Sequence, residues 1–307
     1  MTLFPLTIRL KHYTIGTFER DKTSHQFATI CINVDRFIIE ELFMKKIAFF
    51  DIDGTLTSEI DGSIPASAKE AIKKARDNGN LMFINTGRCY QNVEPRFREI
   101  GFDGFICGCG TNIYADGKEL FHQTVSHDIT LEILNIARET NVDLLFESKK
   151  EVAFDLSRPL IHPSAVRQHQ AFVNRDYQMP TDFTPFDFCC DKFVIWYQTE
   201  DQLTEFRKVS DAHFTCIDRG GTFREFVPHG FSKATGIQYL LDYYHLDKSN
   251  AYAFGDSNND LPMLNYVPNS IAMGNSDPKS LFNEVSYVTG KASEDGIKQA
   301  LAYFKFE

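Results

Sequence analysis

Short apolar runs alternate with helical stretches along most of the chain. IAFFD (47–51) carries four apolar residues and ends in an aspartate, and LMFIN (81–85) and DGFIC (103–107) repeat the pattern. Runs that are apolar at successive positions, rather than at alternate ones, predict strands buried on both faces. Between the first two, PASAKEAIKKARDN (65–78) has helical spacing, a proline in its first turn and Gly79 as its stop. A further helical stretch is expected around 90–99, with Pro95 interrupting its start. Strands separated by helices predict a parallel sheet with helices on both faces.

The rhythm changes after residue 110. TNIYADGKELF (111–121) places an Asp-Gly turn between two strand-like arms, which reads as a hairpin. ITLEILNIARET (129–140) is an amphipathic helix, followed by strand-like segments at 143–146, 192–197, 213–217 and 223–227 and a helix near 201–211. Residues 157–188 contain Pro159, Pro163, Pro180 and Pro185 and are expected to form long loops. Alternation resumes at Ser232 with the helix SKATGIQYLLDYYH, the strand AYAFGD, the short helix NNDLPMLNYV, the strand-turn SIAMGN and a closing helix over 295–304. The expected organisation is an α/β core, 44–122 and 226–307, split by an inserted α+β domain, 123–225.

Residues 1–43 do not share this rhythm. They mix Arg9, Lys11, Arg20 and Lys22 with Glu19, Asp21, Glu40 and Glu41, and lack an apolar stretch followed by a small-residue cleavage site. Met44 stands directly before the first apolar strand. The expectation is an extension outside the fold, as an over-long start assignment would produce.

Composition narrows the function classes. The 307 residues are 43% hydrophobic and 24% charged, as in a globular protein with a sizeable core. No run approaches the roughly 18 apolar residues of a membrane span, so no membrane partner is expected. The formal net charge of −10 repels phosphate backbones, which argues against nucleic acid as a partner. It equally repels small phosphorylated molecules, so a site for one must supply its own positive charge. The cysteines include Cys107-x-Cys109 and the adjacent Cys189 and Cys190, without zinc-site spacing. Buried, reduced thiols and a cytoplasmic location are expected.

The chemistry gathers at strand ends. Ligands of open α/β sheets bind outside the carboxyl ends of the strands. Asp51 and Asp53 lie at such an end, Thr86 follows LMFIN, and Asp256 closes AYAFGD. Carboxylates and a backbone carbonyl from neighbouring residues suit a hard cation, and magnesium takes a few such oxygens together with water and phosphate. A carboxylate beside a phosphoryl group is also a competent nucleophile. Gly54 permits a tight turn. Lys233 falls in the first turn of a helix capped by Ser232. It opposes the helix dipole there, at about 0.3–1 kcal/mol, and makes sense if an anion binds alongside it. GDSNND (255–260) crowds Asp256, Asn259 and Asp260 before a helix. Singly, these features also read as a surface Asp-x-Asp-Gly turn, a surface lysine and an acidic N-cap cluster.

Together, in this order, they resemble the haloacid dehalogenase-like superfamily. DIDGT (51–55) resembles its first motif, Thr86 its second, Lys233 its third and GDSNND its fourth. The insertion between the second and third motifs is similar to the class IIB cap of Cof-type sugar phosphatases, as are the strings NTGR (85–88) and GNSDP (274–278). The resemblance spans about residues 44–305. It implies a Rossmann-like parallel core split by an α+β cap. Asp51 would be the nucleophile and Asp53 the general acid and base. Mg²⁺ would be held by Asp51, the Asp53 carbonyl and Asp256. Thr86, Gly87, Lys233 and Asn259 would bind phosphate, with Asp260 in support. One departure is GCGTN (108–112), where Cys109 replaces an expected asparagine.

The implied activity is Mg²⁺-dependent hydrolysis of a small phosphomonoester, a sugar phosphate or phosphorylated cofactor, by a monomer or small homo-oligomer. One alternative is a phosphomutase of the phosphomannomutase type, which needs inward-facing cap arginines; Arg158, Arg167 and Arg175 are candidates. Another is a non-catalytic phosphate-sensing module, against which the intact set Asp51, Asp53, Thr86, Lys233 and Asp256 argues.

Overall fold

The computed structural model describes residues 6–10, 13–18, 45–177, 179–183 and 188–306. The chain divides into two units, Met1–Met44 and Lys45–Glu307. In the first, β1 (Leu6–Leu10) pairs antiparallel with β2 (Tyr13–Phe18). The expectation of an extension over 1–43 falls mostly on residues outside those described.

In the second unit the apolar runs become the strands of one sheet. β3 (Ile47–Phe50), β4 (Leu81–Asn85) and β5 (Gly104–Cys107) are parallel neighbours. The hairpin β6 (Asn112–Ala115) and β7 (Lys118–His122) extends their edge antiparallel. Successive residues of β3 feed opposite sides. Ala48 and Phe50 pack with Ala68, Ile72 and Leu301, while Ile47 and Phe49 pack with Ile237 and Leu241. Burial on both faces is why the run is apolar throughout.

The chain then builds a second sheet from β8 (Asp143–Glu147), β9 (Val152–Phe154), β10 (Lys192–Trp196), β11 (Phe214–Asp218) and β12 (Phe223–Pro228). Its order is β11-β12-β10-β8-β9, and every pairing is antiparallel. On one face Leu144, Phe146, Phe193, Ile195 and Phe226 pack with Ile133, Leu134 and Phe206, from helices His127–Thr140 and Glu200–Ser210. The alternate residues face the opposite way and line a cavity, described below.

The chain returns to the first sheet as β13 (Ala251–Ser257), β14 (Asn269–Asp277) and β15 (Tyr287–Val288). The complete order is β15-β14-β13-β3-β4-β5-β6-β7, parallel from β15 through β5. The expected α/β core with an inserted α+β layer is the fold that forms.

Local expectations needed correction. Within 157–188, expected as loops, lies helix Pro163–Asn174. Pro163 occupies its first turn, where no N–H is needed, and His162 caps it by accepting the Ser164 N–H at 3.1 Å. The stretch 90–99 breaks into a turn, Tyr90–Asn92, and a short helix, Pro95–Arg98. Strands β9 and β15 were not anticipated. Among the described residues, no helix is long and apolar enough to cross a membrane.

Phe193 stacks on Phe226 with centroids 4.8 Å apart and meets Phe214 edge-on at 4.8 Å. Phe193→Ala should therefore cost about 3–5 kcal/mol of stability, read as a lowered midpoint in urea denaturation.

Candidate active site

The site begins where β3 runs out. Asp51 is buried, and its N–H donates to the Phe254 carbonyl at 3.0 Å, continuing the pairing with β13 by one residue. The chain then turns through Gly54 at φ +80°, where a Cβ would lie 2.3 Å from Asp256 Oδ2. Only glycine allows both that conformation and that approach. Thr57 closes the turn, accepting from the Gly54 N–H and donating to the Ile52 carbonyl, each at 3.1 Å. From the far side, the Asn275 amide donates to the Gly54 carbonyl at 2.7 Å and accepts from the Ala292 N–H at 2.9 Å. The GNSDP string thus fixes the loop that follows Asp51.

Lys233 opens helix Lys233–Tyr244 and is buried. Its Nζ donates to Asp51 Oδ1 and to Asp260 Oδ1, each at 2.6 Å. The other oxygen of Asp260 accepts the N–H groups of Asp256 at 2.8 Å and Ser257 at 3.1 Å. Asp260 therefore orients the lysine and pins the backbone that presents Asp256. Asp256 in turn accepts from the Thr55 hydroxyl at 3.2 Å.

Carboxylate oxygens of Asp51, Asp256 and Asp260 lie within 4.8 Å of one another. Burial, and then the neighbouring carboxylates, raise Asp256 well above the usual carboxylate range. Burial also raises Asp51, though Lys233 opposes the shift. Three carboxylates and one ammonium are under-compensated, and an oxygen-rich cluster of this kind fits a hard divalent cation.

Asp51, Asp53, Thr86, Gly87 and Asn259 line one cavity of about 320 Å³. Thr86 is buried, and its hydroxyl oxygen accepts the Arg88 N–H at 3.2 Å. Asn259 is buried, and its side-chain oxygen bonds the Ser257 hydroxyl. Asp53 is placed differently from Asp51. Its side chain is 58% exposed, stands apart from the three clustered carboxylates, and is gripped by Arg88 through two contacts of 2.5 and 3.0 Å. Its side chain is therefore not part of the carboxylate cluster. Arg88 also reaches Glu94 at 3.2 Å. In the sequence, NTGR marks this arginine only by its place just beyond a strand end.

The facing wall comes from the second sheet. Lys192, Glu147 and Glu225 share its inner face, because Lys192 pairs in register with Glu147 and Val194 with Glu225. The Lys192 ammonium bonds Glu147 and lies 2.7 Å from Glu225. Burial works against ionised Glu225, but the charges of Lys192 and Arg219 outweigh it and hold the carboxyl at about 2. Cys109 sits beneath this wall at φ +55°, with Sγ 3.5 Å from Glu225 Oε1. Burial raises its thiol, which disfavours the nucleophilic thiolate. Of the three candidate arginines, Arg175 lines the cavity, while Arg158 pairs with Asp143 and Arg167 bonds Ser164. Arg219 also lines the cavity and was missed from sequence.

A family model for haloacid dehalogenase-like hydrolases matches residues 48–301. The chain belongs to that family. This haloacid dehalogenase-like hydrolase is 27% identical over 273 residues to the protein YkrA of Bacillus subtilis, covering 84% of this chain and 96% of YkrA. It is 24% identical over 278 residues to 5-amino-6-(5-phospho-D-ribitylamino)uracil phosphatase YitU of the same organism, covering 82% and 94%. Among solved structures it is similar to BT1666 of Bacteroides thetaiotaomicron, described among phosphatases of this superfamily. There the TM-score is 0.74 at 25% identity, covering 86% of this chain and 97% of that one.

In this hydrolase, Lys233→Met should leave Asp51 and Asp260 facing each other without their cation. The expected loss is about 3–5 kcal/mol, measured by equilibrium denaturation.

Proposed function

We propose that this protein is a phosphatase that hydrolyses a small phosphomonoester through an aspartyl-phosphate on Asp51. The observation that carries the reading is Asp51 itself. It lines the cavity while Lys233 holds one of its oxygens at 2.6 Å, which leaves the second for phosphorus.

Asp51 attacks phosphorus, the ester P–O bond breaks, and the leaving oxygen takes a proton from Asp53. Asp53 then takes a proton from the water that attacks the aspartyl-phosphate, which releases inorganic phosphate and restores Asp51. Burial works against ionised Asp53, but Arg88 outweighs it and lowers the carboxyl. Before the first step Asp53 must therefore leave Arg88 and take up a proton from solvent; the proton taken from the attacking water then restores it for the next cycle. Thr86, Gly87, Asn259 and Lys233 hold the phosphoryl oxygens, and Asp260 keeps Lys233 aimed. Asp51, the Asp53 backbone carbonyl and Asp256 are the groups that would hold Mg²⁺. When bound, it would offset the charge gathering on the phosphoryl group.

Two observations favour hydrolysis of a small metabolite over the alternatives. A mutase needs a second phosphate grip, yet of the two arginines that the second layer brings to the cavity, Arg175 is paired with Glu94, which leaves Arg219 alone for one phosphate. A sensing module needs no acid–base group, yet Asp53 lines the cavity beside the nucleophile. YitU is named for a small phosphorylated metabolite, and a cavity of about 320 Å³ suits a ligand of that class.

With p-nitrophenyl phosphate and Mg²⁺, the wild type should release p-nitrophenol. Asp51→Asn should lower kcat by about a thousandfold or more, and EDTA should abolish turnover until Mg²⁺ is restored. Undiminished activity in either case would sink the mechanism. Asp53→Asn should lose about 10²–10⁴-fold, with the melting temperature retained because that side chain lies outside the buried cluster.

A further inference from the structure

Arg219 stands in a tight hairpin between β11 and β12. Its N–H donates to the Phe223 carbonyl at 3.3 Å, and the Asp218 carboxylate accepts the Gly220 N–H at 2.8 Å. Gly220 and Gly221 take φ values of +90° and +52°, so the turn depends on glycine and its backbone is set. The strand leading into it packs against residues 258–260 of the core. The hairpin therefore delivers Arg219 to the cavity that Asp51, Asp53, Thr86 and Asn259 line from the other side.

The other cations of this cavity are paired. Lys192 lies between Glu147 and Glu225, Arg88 holds Asp53 and Glu94, and Arg175 lies 3.4 Å from Glu94. Among the described residues, the Arg219 side chain has only a long ion pair, and one of its nitrogens is left without an acceptor. Its Nη1 is buried, makes no hydrogen bond to any described residue, and comes only within 3.6 Å of Glu225 Oε2. Glu225 is already engaged by Lys192. A buried guanidinium N–H left without an acceptor is costly. A planar cation with a spare donor, facing a candidate phosphoryl site, matches the geometry of a phosphate oxyanion.

We propose that Arg219 is a phosphate ligand, presented by the second sheet to the phosphoryl group from the side opposite Thr86, Gly87, Asn259 and Lys233. The proposal rests on the phosphatase reading for the identity of its ligand.

The test is inorganic phosphate binding to the Mg²⁺-loaded full chain, followed by calorimetric titration and by the rise in melting temperature that phosphate produces. Arg219→Gln and Arg219→Met should weaken binding by about 10- to 100-fold. Both should lose most of the phosphate-induced rise while melting, without phosphate, close to wild type. Arg219→Lys, a point charge without the planar fork, should fall between them and wild type. A residue that merely braced the hairpin through Glu225 would lower the phosphate-free melting temperature and spare the affinity.

Phosphate affinity within about threefold of wild type in Gln and Met variants would overturn the proposal, as would a wild type that binds no phosphate. If neither variant folds, the Lys variant decides: a clear loss of affinity supports the proposal, and unchanged affinity rejects it. Binding that depends on Arg219, in a wild type that never releases p-nitrophenol, would reject the phosphatase reading and leave the Arg219 assignment standing.

Discussion

The ammonium of Lys233, 2.6 Å from both Asp51 and Asp260, is what allows acidic strand ends to meet in the interior. Two like charges 4 Å apart repel by about 4 kcal/mol at the effective dielectric of a protein, and here three carboxylates share one small volume. Parallel pairing of β3 with β13 makes that crowding unavoidable. With Phe50 beside Phe254, the residues that follow each strand emerge side by side. Gly54 and Gly255 make the approach sterically feasible: a Cβ at either would lie within 2.5 Å of Asp256 or Asp260 atoms. The lysine at a helix N-terminus, awkward for the helix alone, is explained by the anions it faces.

The two walls of the cavity solve their electrostatics differently. The core wall carries more carboxylate than cation and is left needing positive charge, which suits a metal ion and a phosphoryl group arriving together. The facing wall is internally balanced, with Glu147 and Glu225 set against Lys192 and Arg219. A buried network of that kind contributes little net stability compared with an apolar face. Its value lies in presenting oriented polar groups. Neither wall alone offsets the chain's formal net charge of −10; a cation held at the carboxylate cluster would do so locally.

Much of this was legible before any coordinates. Ile47–Phe50 announces a doubly buried strand because both faces of the sheet are covered, and the rule that ligands gather at carboxyl strand ends picks out Asp51, Thr86 and Asp256. Other parts were not. Pro163 at a helix start and a proline in a loop look alike in sequence, so helix Pro163–Asn174 was lost among its neighbours. Period-two alternation shows that Lys192 and Trp196 share a face of β10, but not that this face meets the cavity. The partnership of Arg88 with Asp53 joins residues 35 positions apart, and no local pattern encodes it. Arg219 is marked only by the glycines after it, which announce a turn and say nothing about where the turn points.

The second of the two segments that join the sheets is short. β12 ends at Pro228 and the next helix begins at Lys233, with only residues 229–232 between them. Since each residue spans at most about 3.6 Å, this tether cannot exceed roughly 18 Å. One end is woven between β10 and β11, and the other is clamped by two carboxylates. Gly230 takes φ +86° along it, and the Phe231 N–H closes a turn on the Pro228 carbonyl at 3.2 Å. The outer sheet is thus leashed to the same lysine that steadies Asp51, and the length of that leash bounds how far the sheet can travel from the cavity the two sheets share.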